Sequence, residues 1–267
     1  YPIDRILERT IYNYQSRAIV FFVNLLRKAL RFLKLSGLRL KTPVGNMRII
    51  ATKEENNDTS SIIGQVPIDY FEEKKQNFWQ RLWHGRKIKM ILRVLQEVKF
   101  KKGLDVGCAS GDLTEQIRVA SGKGQFWGVD IYQKAIKYGQ KKYPQLNLKI
   151  ADGQKLPFPQ DSFDLITCID TLEHFSNPDK FLQEAHRILK PKGSIMIAGA
   201  IENWFFRLIW FFWQKGRGRV WQNAHQHFFK NSREIIKLLE TNSFKIEKKI
   251  TSHGGMNLTL LCKKISD

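Results

Sequence analysis

The feature that most constrains the fold is an alternation that begins near residue 100. Short apolar strands (Leu104–Val106, Gln125–Val129, Leu146–Ile150, Phe163–Ile169, Ser194–Ala200) alternate with amphipathic stretches of helical period (Asp112–Ala120, Gln133–Lys142, Pro178–Leu189). A helix at Ser232–Glu240 and strands at Phe244–Ile250 and Asn257–Lys263 complete the series. Strands separated by helices pair in parallel through crossovers, and each crossover helix covers a sheet face. The expectation is an α/β, Rossmann-like, seven-stranded and mostly parallel sheet with helices on both faces. In such sheets ligands bind at the carboxyl ends of the strands, where the strand order switches.

The first of these strands runs into Asp105-Val106-Gly107-Cys108-Ala109-Ser110-Gly111-Asp112. Glycines there permit a tight turn and a close ligand approach, and the next helix offers free N–H groups. The following strand ends in Gly128-Val129-Asp130. An acidic residue about 20 positions after such a loop is placed to bind ribose hydroxyls. Up to this point a nicotinamide dinucleotide fits equally well. Asp112 reads as the N-cap of the next helix.

The wording around the loop narrows the choice. LDVGCASGDLT, then GVDI, then ADGQKLPFPQDSFDLITCIDTLEHFSNPDKFLQEAHRILKPKGSIMIAG resembles the class I S-adenosylmethionine-dependent methyltransferases, within them the subgroup that includes the ubiquinone/menaquinone and sterol methyltransferases. The resemblance covers about residues 87–263 and rests on four motifs in order. One departure is visible, since Ala109 stands at the family's central glycine. The resemblance implies S-adenosyl-L-methionine as cofactor. It places Asp105, Gly107, Cys108, Ala109 and Gly111 along the methionine moiety, and Asp130 on the ribose with Ile131 flanking the adenine. Asp152, Gly153 and Gln154 would lie at the adenine edge, and Ile169 or Asp170 would border the sulfonium and the acceptor.

Methyl transfer from a sulfonium is an in-line displacement, so the protein mainly aligns the nucleophile and excludes water. An oxygen or carbon acceptor can also need a base. His174 in Asp170-Thr171-Leu172-Glu173-His174 is the leading candidate, although a role in structuring the loop is open to it. In one quinone-biosynthesis subgroup, acidic residues and a His at this place bind a divalent metal. Asp170, Glu173 and His174 match that pattern loosely, and no metal is assigned. His225 and His227 in NAHQHFF form a second pair, with His227 a further candidate base.

The three cysteines, Cys108, Cys168 and Cys262, are far apart and form no CxxC, which excludes a disulfide framework or zinc ribbon and suits a reducing compartment. The net charge of +20 is unevenly spread. Residues 1–50 carry +8 and residues 201–250 carry +6, whereas 151–200 carry −2. Residues 17–35 read as a basic amphipathic helix, too short in its apolar run to span a bilayer and without the cleavage site of a signal peptide. The chain begins at Tyr1 rather than Met, as a missing or processed N-terminus would. Residues 201–213 hold seven aromatics, followed by Lys215, Arg217 and Arg219.

The expected organisation is a basic amphipathic helical extension (1–50), a linker or mobile loop (51–69) and a methyltransferase domain (70–267) with a substrate lid at 201–227. Helical character is expected over 70–99. Basic charge joined to aromatic residues fits an interfacial membrane element. The function expected is methyl transfer to a small or lipid-like acceptor, in the cytoplasm or peripherally at the cytoplasmic face of an anionic membrane. The alternative is an RNA or protein methyltransferase, although Asp170-Thr171-Leu172-Glu173 stands where a base-methylating Asn-Pro-Pro-Tyr motif would be. A non-enzymatic cofactor-binding scaffold is a third reading, disfavoured by the intact loop and Asp130.

Overall fold

The computed structural model describes residues 35–37, 51–53, 68, 78–122, 124–203, 206 and 229–265. The chain divides into two compact units, residues 1–58 and 59–267. In the first, β1 (Leu35–Gly37) pairs antiparallel with β2 (Ala51–Lys53), Leu35 opposite Lys53. Part of the expected helical extension and part of the expected linker therefore pair as strands. Gly37, a poor helix former, lies in the first of them. The amphipathic helix expected over 17–35 otherwise lies outside the described residues. So does the aromatic insertion, apart from residues 201–203 and Phe206.

The second unit opens with α1 (Phe78–Gln96), within the stretch expected to be helical. It continues as β3 (Lys102–Val106), α2 (Asp112–Ala120), β4 (Gln125–Asp130), α3 (Gln133–Lys142), β5 (Asn147–Ile150) and β6 (Phe163–Ile169). A 3-10 turn (Leu172–His174), α4 (Pro178–Ile188), β7 (Leu189–Ala200), α5 (Ser232–Thr241), β8 (Phe244–Ser252) and β9 (Asn257–Lys264) follow. The seven-stranded sheet has the order β5-β4-β3-β6-β7-β9-β8. Strands β3 to β7 pair in parallel, and β9 runs antiparallel to both β7 and β8.

Side-chain alternation assigns the faces. Phe126, Leu165, Ile169, Met196, Ala198 and Leu261 pack with Ile91, Val94 and Leu95 of α1, Ile117 of α2 and Ile136 of α3. Val106, Ile166, Ile197, Leu258 and Leu260 pack on the other face with Phe181 and Leu182 of α4 and Ile235 and Leu239 of α5. Helices therefore cover both faces. Phe126, Phe163, Phe181 and Phe244 are fully buried, and each such side chain stabilises the fold by about 1.5–3 kcal/mol.

Local chemistry starts the two helices of the second face. Asn177 caps α4 by accepting from the Lys180 amide at 3.0 Å, with Pro178 at its first position. Asn231 caps α5 by accepting from the Arg233 and Glu234 amides. Glu234 reaches back to the Lys230 amide at 3.0 Å, much as in a capping box. Sequence reading placed the start of β7 at Ser194, but pairing extends back to Leu189 opposite Phe163, across an irregularity between Phe163 and Leu165.

The chain moves from β3 to β4 and β5 on one side and from β6 to β7 on the other. The strand order switches between β3 and β6. Loops leaving these two strands diverge, and a crevice opens between them at the carboxyl edge.

Candidate active site

The loop after β3 is built from left-handed backbone. Gly107 has φ 80°, Ala109 φ 47° and Gly111 φ 83°. The Gly107 and Cys108 amides donate to the Val129 carbonyl at 2.8 and 3.1 Å, and the Gly111 amide returns to the Cys108 carbonyl at 2.8 Å. These bonds pin the loop to the end of β4. At Gly107 a Cβ would fall inside the Thr171 side chain, so the loop after β6 closes directly onto the loop after β3. Alanine at position 109 sits in a conformation that glycine adopts freely.

Asp130 is the centre of the arrangement. Its Oδ2 accepts from the Ala109 amide and its Oδ1 from the Tyr132 amide, both at 2.8 Å. Each carboxylate oxygen keeps a second lone pair. The group is thus oriented by backbone and still able to accept from a vicinal diol. Burial pushes its pKa up, while the two amide bonds and the charge of His174 pull it down. Ile131, beside Asp130, is exposed.

Beside β4, the Ala151 amide donates to the Asp130 carbonyl at 3.1 Å and brings the loop after β5 alongside. Asp152 is exposed and accepts from the Gln154 amide at 2.9 Å. Gly153 is buried, with Phe175 where a side chain would stand. Gln154 Oε1 accepts from Ser176 Oγ and the Asn177 amide, so this side chain ties the loop to the start of α4.

Three other expected ligand contacts, Asp105, Ile169 and Cys108, are placed differently. Asp105 is 3% exposed, and its oxygens accept from Thr114 Oγ1 at 2.6 Å and Thr167 Oγ1 at 2.7 Å. It braces the loop from beneath rather than lining the crevice, because its position in β3 points it into the α1–α3 side. Burial pushes its carboxyl up to about 6, against the pull of the two threonines. Ile169 is packed in the core with α1, which leaves Asp170 as the residue that borders the crevice. Cys108 is buried against Gly128, and burial raises its thiol well above the usual range, so it offers packing rather than a nucleophile.

Asp112 is not the N-cap. Gly111 takes that position in left-handed backbone, and Asp112 is buried at the first helical residue. There it accepts from Ser110 Oγ, Tyr143 Oη and Lys142 Nζ, at 2.6, 2.8 and 2.9 Å. Burial opposes its charge, and these three partners together hold its carboxyl below the usual value.

The loop after β6 carries the charged groups. Asp170 has φ 52°, and its amide donates to the Ala198 carbonyl at 2.7 Å. Strict alternation after Ile169 would send Asp170 to the α4–α5 face. Its left-handed backbone re-aims it, and its carboxylate pairs with Lys87 Nζ of α1. The Lys87 side chain is 4% exposed and that of Asp170 39%. Glu173 lies on the other face, in a small pocket with Leu172, Ile197, Gly199, Phe229 and Leu258. Burial raises its carboxyl most, His174 lowers it, Asp170 raises it, and Lys87 lowers it.

Asp170, Glu173 and His174 do not converge as metal ligands. Among the described residues no group of three or more His, Cys, Asp or Glu could hold a metal. His225 and His227 lie outside the described residues.

Lys87 was missed by sequence reading. Its signal is periodic: it precedes Ile91 by one turn and Val94 by two, so a lysine stands in an apolar stripe.

Comparison with known proteins decides between the nucleotide cofactors. Residues 104–197 match the family model of a methyltransferase domain. Over those residues the chain carries a methyltransferase domain. The demethylmenaquinone methyltransferase of Lysinibacillus sphaericus is 37% identical over 99 residues, 36% of this chain and 42% of that protein. The ubiquinone/menaquinone biosynthesis C-methyltransferase UbiE of Burkholderia mallei is 32% identical over 111 residues, 39% of this chain and 44% of that protein. The chain thus matches less than half the length of these relatives.

Solved structures extend the likeness to between two thirds and four fifths of the chain. A methyltransferase of Haloferax volcanii, in complex with its activator, gives a TM-score of 0.61 at 15% identity over 76% of this chain and 99% of that one. An S-adenosylmethionine-dependent methyltransferase of Thermotoga maritima gives 0.57 at 18% identity over 78% and 100%. The cyclase SpnF gives 0.54 at 14% identity over 67% and 81%. Fold alone therefore does not fix the reaction, which has to be argued from the site.

S-adenosylmethionine is the cofactor of this domain, and the residues present suit it. Asp130 is oriented with lone pairs to spare for a ribose diol, Ile131 and Asp152 stand at the neighbouring strand ends, and the left-handed loop presents backbone rather than side chains. Among the described residues no helix is long and apolar enough to cross a membrane.

Proposed function

We propose that the protein transfers a methyl group from S-adenosylmethionine to a small or lipid-like acceptor at an anionic membrane surface. The observation that carries the methyl-transfer part of this reading is Asp130, fixed by the Ala109 and Tyr132 amides at the mouth of the left-handed loop. The bound cofactor supplies an electrophilic methyl group. The acceptor would meet it at the carboxyl edge of the sheet, where the strand order switches between β3 and β6. The Asp170–Lys87 pair and His174 border that space. His174, which ends the 3-10 turn after β6 four residues beyond Asp170, is the group assigned to take the proton that the acceptor gives up.

The membrane element of the proposal rests on composition. Residues 1–50 and 201–250 hold +14 of the net +20 and contain the most apolar and aromatic runs, whereas 151–200 are slightly acidic. Such a pairing of charge with aromatic residues suits an anionic lipid interface. The same +20 favours RNA as the second reading.

One experiment separates them. The protein is incubated with methyl-tritiated S-adenosylmethionine and, in parallel, with a bacterial membrane lipid extract, total RNA or total soluble protein. Label entering the organic phase supports the proposal. Label confined to RNA or protein supports the second reading, and no transfer to any fraction contradicts both.

A further inference from the structure

Asn257 and Thr259 are 3% and 1% exposed. Neither Asn257 Oδ1 nor Thr259 Oγ1 has a hydrogen-bond partner among the described residues. Buried polar atoms without partners destabilise a fold, so each needs a reason to persist.

The register of β9 says where these atoms point. Thr259 stands opposite Ala198, Asn257 opposite Ala200 and Leu261 opposite Met196. Opposite residues of an antiparallel pair share a face. Met196, Ala198 and Leu261 pack against α1, so Thr259 and Asn257 belong to the α1 side of the sheet. They also lie at its carboxyl edge, because β9 starts where β7 ends. The Ala198 carbonyl accepts the Asp170 amide, and Asp170 pairs with Lys87. An amide oxygen, a hydroxyl and a buried ammonium thus share one face and one edge, next to the loop that borders the crevice.

We propose that Asn257 and Thr259, on the sheet face that α1 and its Lys87 cover, form the polar subsite for the acceptor, which carries a hydroxyl group. This rests on the methyltransferase reading and adds the acceptor's chemistry to it. The acceptor's O–H donates to Asn257 Oδ1, and the Thr259 hydroxyl donates to the acceptor oxygen. An acceptor with a hydrocarbon head would leave both atoms unpaired, and sites of this kind discriminate strongly against such analogues. The polar atoms reduce stability and confer selectivity.

The test compares 2-naphthol with 2-methylnaphthalene, a pair of similar shape that differs in the hydroxyl. Binding to the protein saturated with S-adenosylhomocysteine is measured by fluorescence titration. The wild type is compared with Thr259→Val, Asn257→Leu and the double variant.

The wild type is expected to prefer 2-naphthol by ~10-fold or more. In the double variant that preference falls to about 1. The Thr259→Val protein melts ~2–4 °C higher, because an unpaired buried hydroxyl has been removed. Three results would overturn the proposal: no preference in the wild type, a preference retained in the double variant, or a lower melting temperature for Thr259→Val. A wild type that fails to bind S-adenosylhomocysteine defeats the methyltransferase reading instead, and that is read in a separate titration without naphthol.

Discussion

Asp105 gives the sharpest stability prediction. It is 3% exposed and accepts from two threonine hydroxyls, yet burial raises its carboxyl from 3.8 to about 6. A folded-state value above the unfolded one means that the folded protein binds the extra proton between those limits. The stability this contributes is fully present below 3.8 and is lost as pH rises through about 6. At ~1.4 kcal/mol per pH unit, the interval corresponds to about 3 kcal/mol.

Asp105→Asn keeps the shape and the acceptor oxygen but cannot ionise. Urea unfolding of both proteins from pH 4 to pH 7.5 gives the difference in stability at each pH. Groups common to the two proteins cancel in that difference. The asparagine protein is expected to gain on the wild type by about 2.5 kcal/mol across the range, with most of the change between pH 4 and 6. A pH-independent difference would refute the reasoning. A swing in favour of aspartate would show that the threonine bonds outweigh burial.

Asp170→Asn is expected to destabilise more than Lys87→Met, because it strands a buried ammonium, whereas the Asp170 carboxylate is partly open to water. The losses are ~3–5 kcal/mol against about 1 kcal/mol in chemical denaturation, and the double variant recovers most of the larger loss. Gly107→Ala forces alanine to φ 80°, at a cost of roughly 1–2 kcal/mol. It also pushes on Thr171, so adding Thr171→Ala restores the contact part of the loss but not the dihedral part. Asn231→Ala removes the α5 cap and costs about 1 kcal/mol in thermal unfolding, with no change in S-adenosylhomocysteine affinity.

Much of the sheet was legible in sequence because its signals are local. The strand-loop-helix at Asp105–Asp112 and the acidic end of β4 depend on neighbours within a few residues, and the structure joins them through the Ala109–Asp130 bond. What escaped depends on distant partners. Asp105 and Asp130 look alike in sequence as acids beside glycines. Only the threonines of α2 and β6 show that Asp105 braces the loop while Asp130 faces the crevice. Lys87 lies among Arg86, Lys89 and Arg93, and looks like one more solvated cation until α1 packs on the sheet. Asn257 and Thr259 alternate with leucines in a strand whose two faces are both buried, so their environment follows from the register against β7.

Calorimetric titration with S-adenosylhomocysteine tests the central claim most directly. The account predicts one site per chain, weakened by ~10-fold or more in Asp130→Ala, where the charged acceptor for the ribose diol is lost. No binding by the wild type, or equal affinity in the wild type and Asp130→Ala, would contradict it.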